Sequence, residues 1–192
     1  DCCGDSKDGS ALTSDEAKKK IRTDNKQIWR DFYEFVITSS DKEFKDGLYT
    51  TVYLSPSNYH RIHAPMDGNL ISTIHIPGKL FSVSLKTAEQ IPNLFAQNAR
   101  LVCVFETKIG KIIVILVGAI NVSSIQTTWH GVYKNPEILS YQHMKESISF
   151  KKGDEIGRFN MGSTAIVILP KSEIKLHSSL NENKVVKMGE AL

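Results

Sequence analysis

The chain has 192 residues, 41% of them hydrophobic and 23% charged, which suits one domain with a buried core. Its net charge of +3 is too small for the dense basic surface of a dedicated nucleic-acid-binding protein. The three cysteines, Cys2, Cys3 and Cys103, do not form a paired disulfide framework, and they lack the spacing of a metal site. We expect Cys103 in the core, because it lies in an apolar run.

The first 43 residues predict an arm and an amphipathic helix. Residues 1–12 are polar and rich in Gly, Ser and Asp, which is typical of a loop or a loosely held arm. A capping box at 13–16 starts a helix over 14–37, whose apolar residues share one face. Its other face carries Lys18, Lys19 and Lys20 and is either solvated on a docked helix or in contact with acidic lipid.

The sequence contains no segment that is predicted to span a membrane. The longest apolar stretch, residues 112–120, is about half of the roughly 20 residues that a bilayer needs. The chain begins at Asp1 instead of methionine, so an upstream targeting signal or anchor stays an open alternative.

From Gly47 onward, short β-prone runs alternate with turn residues, which predicts a β-rich domain over 44–192. The runs cover residues 48–54, 70–76, 80–85, 101–107, 111–122 and 164–169. Turns are predicted at 65–68, 77–78, 108–110 and 152–154. The expected fold is mainly β (α+β), an antiparallel barrel or sandwich with an N-terminal amphipathic helical segment.

Two segments contain residues that could carry chemistry. The segment Tyr-His-Arg-Ile-His at 59–63 contains two histidines three positions apart, which could share a helix face or flank a loop. Histidine is suited to proton transfer near neutral pH, and the alternative is a structural role. Gly-Ser-Thr at 162–164 precedes an apolar strand, and a small residue before serine permits backbone geometries that press the hydroxyl toward the preceding carbonyl. The alternative is a plain turn. The segment at 162–164 is not the nucleophile elbow of a hydrolase, because Ala165 stands where that motif needs glycine.

Together these segments resemble the phosphatidylserine decarboxylase family. The matching motifs are Tyr-His-Arg-x-His-x-Pro at 59–65 and Gly-Arg-Phe-x-x-Gly-Ser-Thr at 157–164. Between and before them lie Tyr-Leu-Ser-Pro at 53–56, Pro-Gly-x-Leu-Phe-Ser-Val at 77–83, Pro-Asn-Leu-Phe-Ala-x-Asn at 92–98 and Leu-Val-Gly-Ala at 116–119. The resemblance covers residues 44–170, about two-thirds of the chain.

The resemblance implies a precursor that cleaves itself between Gly162 and Ser163. Ser163 would attack the Gly162 carbonyl, and elimination would release residues 1–162 as the beta chain. A pyruvoyl group derived from Ser163 would then cap the alpha chain, residues 163–192. By the same resemblance, His63 is the maturation base and an aspartate orients it. The family carries this aspartate in Pro-x-Asp-Gly; the counterpart here is Asp8, which lacks the proline, and Asp1 and Asp5 remain alternatives.

The implied enzyme is a carboxy-lyase that converts phosphatidylserine into phosphatidylethanolamine and CO₂ through a Schiff base, with His60 as the proton donor. The resemblance also implies a peripheral position on a membrane of unspecified compartment and continued association of the two cleavage products. The other histidines are expected to be structural. Alternatives are a pyruvoyl decarboxylase of a soluble amino acid, a lipid-binding homologue that does not mature and, more remotely, a serine hydrolase.

Overall fold

Antiparallel strands make up most of the fold. The computed structural model describes residues 10–12, 44, 47–120, 124–134, 140–160, 162–172, 174–175, 177 and 184–190. These residues form twelve strands and two short helices. The strands are β1 (Ser10–Leu12), β2 (Leu48–Leu54), β3 (Arg61–His63), β4 (Gly68–Ile76), β5 (Arg100–Thr107), β6 (Gly110–Val117), β7 (Ser124–Thr127), β8 (Gly131–Lys134), β9 (Ser140–Phe150), β10 (Glu155–Phe159), β11 (Ser163–Leu169) and β12 (Lys184–Val185). The helices are α1 (Leu85–Gln90) and α2 (Leu94–Gln97).

The strands form two sheets. The larger has the order β12-β1-β2-β11-β6-β5-β4-β9, and the smaller has the order β3-β10-β7-β8. The central strands of the larger sheet are nearly continuous apolar runs, and β5 and β6 are joined by the tight turn predicted at 108–110. This architecture confirms the prediction of a mainly β, antiparallel fold.

The core contains buried apolar side chains from the larger sheet, mainly on β4, β5, β6 and β11, together with Ile156 and Phe159 of β10. β10 comes close to β6 at Gly157. A Cβ added at Gly157 would come within 2.6 Å of the Gln126 carbonyl oxygen and within 3.5 Å of a Leu116 methyl carbon. A side chain at 157 would therefore separate neighbouring strands. The largest fully buried side chains include Leu70, Ile74, Leu101, Val102, Ile112, Ile115, Leu116 and Ile156.

Cys103 lies in this core, as expected. Its side chain is fully buried, and burial raises the pKa of its thiol far above the ordinary value. The thiol is therefore inert at neutral pH and serves as a small apolar core group.

The prediction of a strand over residues 80–85 is wrong. Residues 80–83 are irregular, and α1 begins after Ser84, whose hydroxyl accepts a hydrogen bond from the Thr87 backbone N–H. Asn98 replaces the partners that a strand would have supplied: its side chain accepts from the Phe81 N–H and donates to the Phe81 carbonyl. Apolar content alone could not distinguish these possibilities.

Two further boundaries differ from the sequence prediction. Ser10–Leu12, expected in a loop or arm, forms β1 and pairs with both β2 and β12. The strand predicted to reach residue 122 ends at Val117, after which the Gly118 N–H bonds to the Ala99 carbonyl. The helix predicted over 14–37 lies outside the described residues, and the boundary at residue 43 stays a prediction.

Candidate active site

The Gly162-Ser163 bond lies at the beginning of β11. Ser163 pairs with Leu54 of β2, and Thr164 pairs with Val117 of β6, so the serine enters the larger sheet between two strands. The Ser163 side chain is 0% exposed, and its hydroxyl has no hydrogen-bond partner among the described residues. An unpaired buried hydroxyl costs about 1–3 kcal/mol. The hydroxyl of the next residue, Thr164, is likewise buried without a partner in the described part of the chain.

Two chain connections run side by side next to this bond. Leu54 pairs with Ser163 in one sheet, and Arg61 pairs with Arg158 in the other. Residues 55–60 and residues 160–162 therefore cross between the sheets together. The Phe159 N–H donates to the His60 carbonyl at 3.0 Å, which ties the two connections together. The topology thus brings His60 and the Gly162-Ser163 bond to the same crossing.

Gly162 packs closely against Pro56. Its φ is not positive, so the unusual backbone geometry considered for this glycine is not found. Instead, a Cβ at position 162 would lie 3.2 Å from the Cγ of Pro56, tighter than most real contacts. A larger residue at position 162 would therefore have to displace the exposed Pro56 ring by a few tenths of an ångström. The tetrapeptide Tyr-Leu-Ser-Pro was part of the resemblance, but nothing in the sequence assigned Pro56 this role.

His60 has one free ring nitrogen. Its Nδ1 lies 2.5 Å from the Asn58 carbonyl oxygen, and because a carbonyl only accepts, Nδ1 must donate. In the neutral ring, Nε2 therefore holds the lone pair. This Nε2 is buried and has no hydrogen-bond partner among the described residues. His60 can thus accept a proton or, once protonated, deliver one inside the crossing.

His63 is bonded at both ring nitrogens. Nδ1 donates to the Gly153 carbonyl at 2.6 Å, and Nε2 lies 2.7 Å from the Tyr59 hydroxyl, which must be the donor when the ring is neutral. Tyr59 and His63 have nearly parallel rings with centroids 5.7 Å apart. His63 therefore has the tautomer that a base needs, with its lone pair on Nε2. That lone pair already accepts a hydrogen bond from the Tyr59 hydroxyl.

The two histidines do not share a helix face. His60 precedes the short strand β3, and His63 is the last residue of that strand. His63 pairs with Glu155, at the end of β3 away from the crossing. Within the described part of the chain, no hydrogen bond joins either histidine to Ser163. Asp8, Asp1 and Asp5 lie outside the described residues, so the aspartate assignment stays a prediction.

Asp67 lies in a bend between β3 and β4, as the turn prediction requires. Its carboxylate accepts from the Lys152 N–H at 2.8 Å and pairs with the Lys151 ammonium at 3.2 Å. These contacts, the Lys152 N–H foremost, hold the pKa of Asp67 below its ordinary value. Asp67 thus joins two turns and does not orient a histidine in this structure.

The remaining histidines lie away from the crossing, where described. His75 is buried in β4 with its ring edge-on to Tyr133, and burial lowers its pKa. His130 also contacts Tyr133, in a stacked arrangement with ring centroids 4.2 Å apart. His177 is exposed. No group of three His, Cys, Asp or Glu side chains in the described ranges could hold a metal ion.

The chain is similar in sequence to known proteins of one family. The family model described as phosphatidylserine decarboxylase matches residues 6–192. Proteins named phosphatidylserine decarboxylase proenzyme are similar to the chain in Coxiella burnetii, 49% identical over 154 residues, and in Herminiimonas arsenicoxydans, 46% identical over 153 residues. The alignments cover 79% and 78% of this chain but 55% and 52% of the relatives.

The fold and the buried serine at a strand start define a mainly β protein with a candidate self-cleavage site. The chain belongs to the phosphatidylserine decarboxylase family, which confirms the resemblance read from the sequence. It spans little more than half the length of the curated relatives that it matches. None of the helices described is both long and apolar enough to cross a bilayer.

Proposed function

We propose that this chain is the precursor of a phosphatidylserine decarboxylase and that it cleaves itself between Gly162 and Ser163. The observation that carries the proposal is the buried, unpartnered Ser163 hydroxyl beside Gly162 in a chain of this family. The Thr164 hydroxyl is also buried without a hydrogen-bond partner among the described residues, so the Gly-Ser-Thr motif and family membership single out Ser163. The relatives are named as proenzymes, which agrees with maturation by cleavage.

In the proposed self-cleavage, Ser163 Oγ attacks the carbonyl carbon of Gly162. The amide C–N bond breaks as an ester C–O bond forms, and His63 transfers the hydroxyl proton to the departing nitrogen. Loss of the Ser163 Cα proton then expels the Gly162 carboxylate, and water displaces the nitrogen as ammonia. The Nδ1–H tautomer of His63 supports its role as base, since Nε2 carries the lone pair. Asp8 is proposed to take over the Nδ1–H from the Gly153 carbonyl when the ring turns toward Ser163, and so to orient the ring as the aspartate does in protease triads.

The pyruvoyl group formed at residue 163 would supply a carbonyl that takes up the substrate amine and accepts the electrons released with CO₂. The surroundings of Ser163 fit this group, because a buried site without competing hydrogen bonds excludes water from the carbonyl. The free Nε2 of His60 supports its assignment as the acid that protonates the product carbon.

The two cleavage products are proposed to stay associated. β11 belongs to the alpha chain, and it pairs with β2 over seven residue positions and with β6 over five, both in the beta chain. β12, also in the alpha chain, pairs with β1. Removing β11 would expose the apolar faces of its neighbours, so burial opposes dissociation.

The substrate class proposed is phosphatidylserine at a membrane surface, with the protein bound peripherally. The helix predicted over 14–37 is the proposed contact, because it combines aromatic residues with Lys18, Lys19 and Lys20. Replacing these three lysines by glutamate should reduce flotation with vesicles of acidic lipid. Unchanged flotation would remove this helix from the proposal.

The activity test uses the mature protein with phosphatidylserine vesicles and, separately, with free serine. We expect CO₂ release from the lipid and at most a trace from free serine, with none from a Ser163→Ala variant. Release from free serine at the same rate would identify an enzyme for a soluble amino acid. Lipid turnover by Ser163→Ala would exclude Ser163 as the source of the reactive carbonyl.

A further inference from the structure

The two hydrogen bonds that hold His63 differ in how firmly they are fixed. The Gly153 carbonyl that receives Nδ1–H belongs to the β9–β10 turn. That turn is bonded to the chain just after β3 in both directions, by Gly153 N–H to the Ala64 carbonyl at 2.9 Å and by Ala64 N–H to the Asp154 carbonyl at 2.8 Å. The Nδ1 side of the ring is therefore anchored to the backbone.

The Nε2 side is held by a side chain at the surface. Tyr59 is 50% exposed, and its hydroxyl reaches the His63 Nε2 from four residues earlier in the chain. Tyr59 also belongs to the connection 55–60, whose Pro56 packs against Gly162. A half-exposed tyrosine can change rotamer without disturbing the core, so this contact breaks more readily than the Gly153 contact.

We propose that Tyr59 is a positioning residue that restrains His63 in the uncleaved precursor. The inference rests on the proposed function, in which His63 Nε2 takes the Ser163 proton. His63 lies at the end of β3 away from the crossing, and its Nε2 lone pair already accepts a hydrogen bond from Tyr59. The ring must therefore turn toward Ser163 before cleavage begins, and the Tyr59 hydroxyl must leave for the ring to turn. The rate of self-cleavage is thereby set in part by how often this hydrogen bond opens.

The first test compares cleavage rates of freshly synthesised precursors that carry the full chain. Tyr59→Phe removes only the hydroxyl and should accelerate cleavage about two- to tenfold, the range set by the net free energy of one hydrogen bond. Tyr133→Phe is the matched control, because Tyr133 contacts His75 and His130 away from the crossing, and it should leave the rate unchanged. An unchanged or slower rate in Tyr59→Phe overturns the proposal.

The second test asks whether Tyr59 acts through His63. In a His63→Gln background, Tyr59→Phe should give no acceleration, whatever rate remains. Equal acceleration there would mean that Tyr59 acts on another group and would overturn the proposal. A Ser163→Ala precursor, which cannot cleave, allows a direct spectroscopic check. Its His63 Nε2 nitrogen resonance should move when Tyr59 becomes Phe, and no movement would mean that the hydrogen bond does not exist in solution.

These tests separate the inference from the proposed function. If the unmodified precursor never cleaves, the proposed function fails, and the restraint on maturation fails with it. If the precursor cleaves between residues 162 and 163 but Tyr59→Phe behaves as Tyr133→Phe does, only the role of Tyr59 is lost.

Discussion

Burial of β11 predicts a large loss of stability when Ile166 is shortened. Ile166 is 8% exposed and pairs with Ile115 of β6 and Thr51 of β2, so it has neighbouring strands on both sides. Ile166→Ala removes three carbons, which at about 0.8 kcal/mol each gives about 2.4 kcal/mol. The cavity adds to this because paired strands cannot collapse into it, and the expected total is about 2–5 kcal/mol. That is a large fraction of the stability of a typical domain.

The assay is urea unfolding of the uncleaved chain in a Ser163→Ala background, so that cleavage does not complicate the equilibrium. Ile120→Ala is the matched control, because Ile120 is 54% exposed and its truncation should cost less than about 0.5 kcal/mol. Equal effects of the two substitutions would refute the placement of β11 inside the sheet. The argument for continued association of the cleavage products would fail with it.

Three further predictions address packing and pH. Gly162→Ala should slow self-cleavage because its Cβ meets Pro56, and adding Pro56→Ala should recover part of the rate in the same gel-based time course. Asn98→Ala should lower the free energy of unfolding by about 2–4 kcal/mol in urea titrations, because its fully buried side chain makes three hydrogen bonds. Burial lowers the pKa of His75, so stability should be full above about pH 6.5 and fall as the pH drops below it. His75→Gln should flatten that pH dependence.

Predictions from the sequence succeeded where local pattern and tertiary structure agree. The runs at 48–54 and 101–107 became central strands because each is apolar enough to be buried between neighbours. The run at 80–85 failed because a buried polar residue, Asn98, supplies hydrogen bonds to Phe81 from 17 positions away. No local pattern carries that information.

The candidate site was predictable in its residue types but not in its arrangement. The ordered motifs identified Ser163, His60 and His63 as residues of interest, and the topology brings His60 and Ser163 to one crossing. The sequence could not show that His63 lies at the end of β3 away from the crossing, because that depends on pairing with the distant strand β10. Nor could it show that the Tyr59 hydroxyl contacts His63 Nε2, because residue spacing does not fix the side-chain rotamers. The role of Pro56 against Gly162 was likewise visible only in three dimensions.

The intact mass of the purified, fully incubated protein tests the central claim most directly. Self-cleavage predicts two species, residues 1–162 ending in a free Gly162 carboxylate and residues 163–192 beginning with a pyruvoyl group. Ser163→Ala should give one species of full length. A single full-length species from the unmodified chain, or a smaller piece that begins with intact serine, would contradict the account.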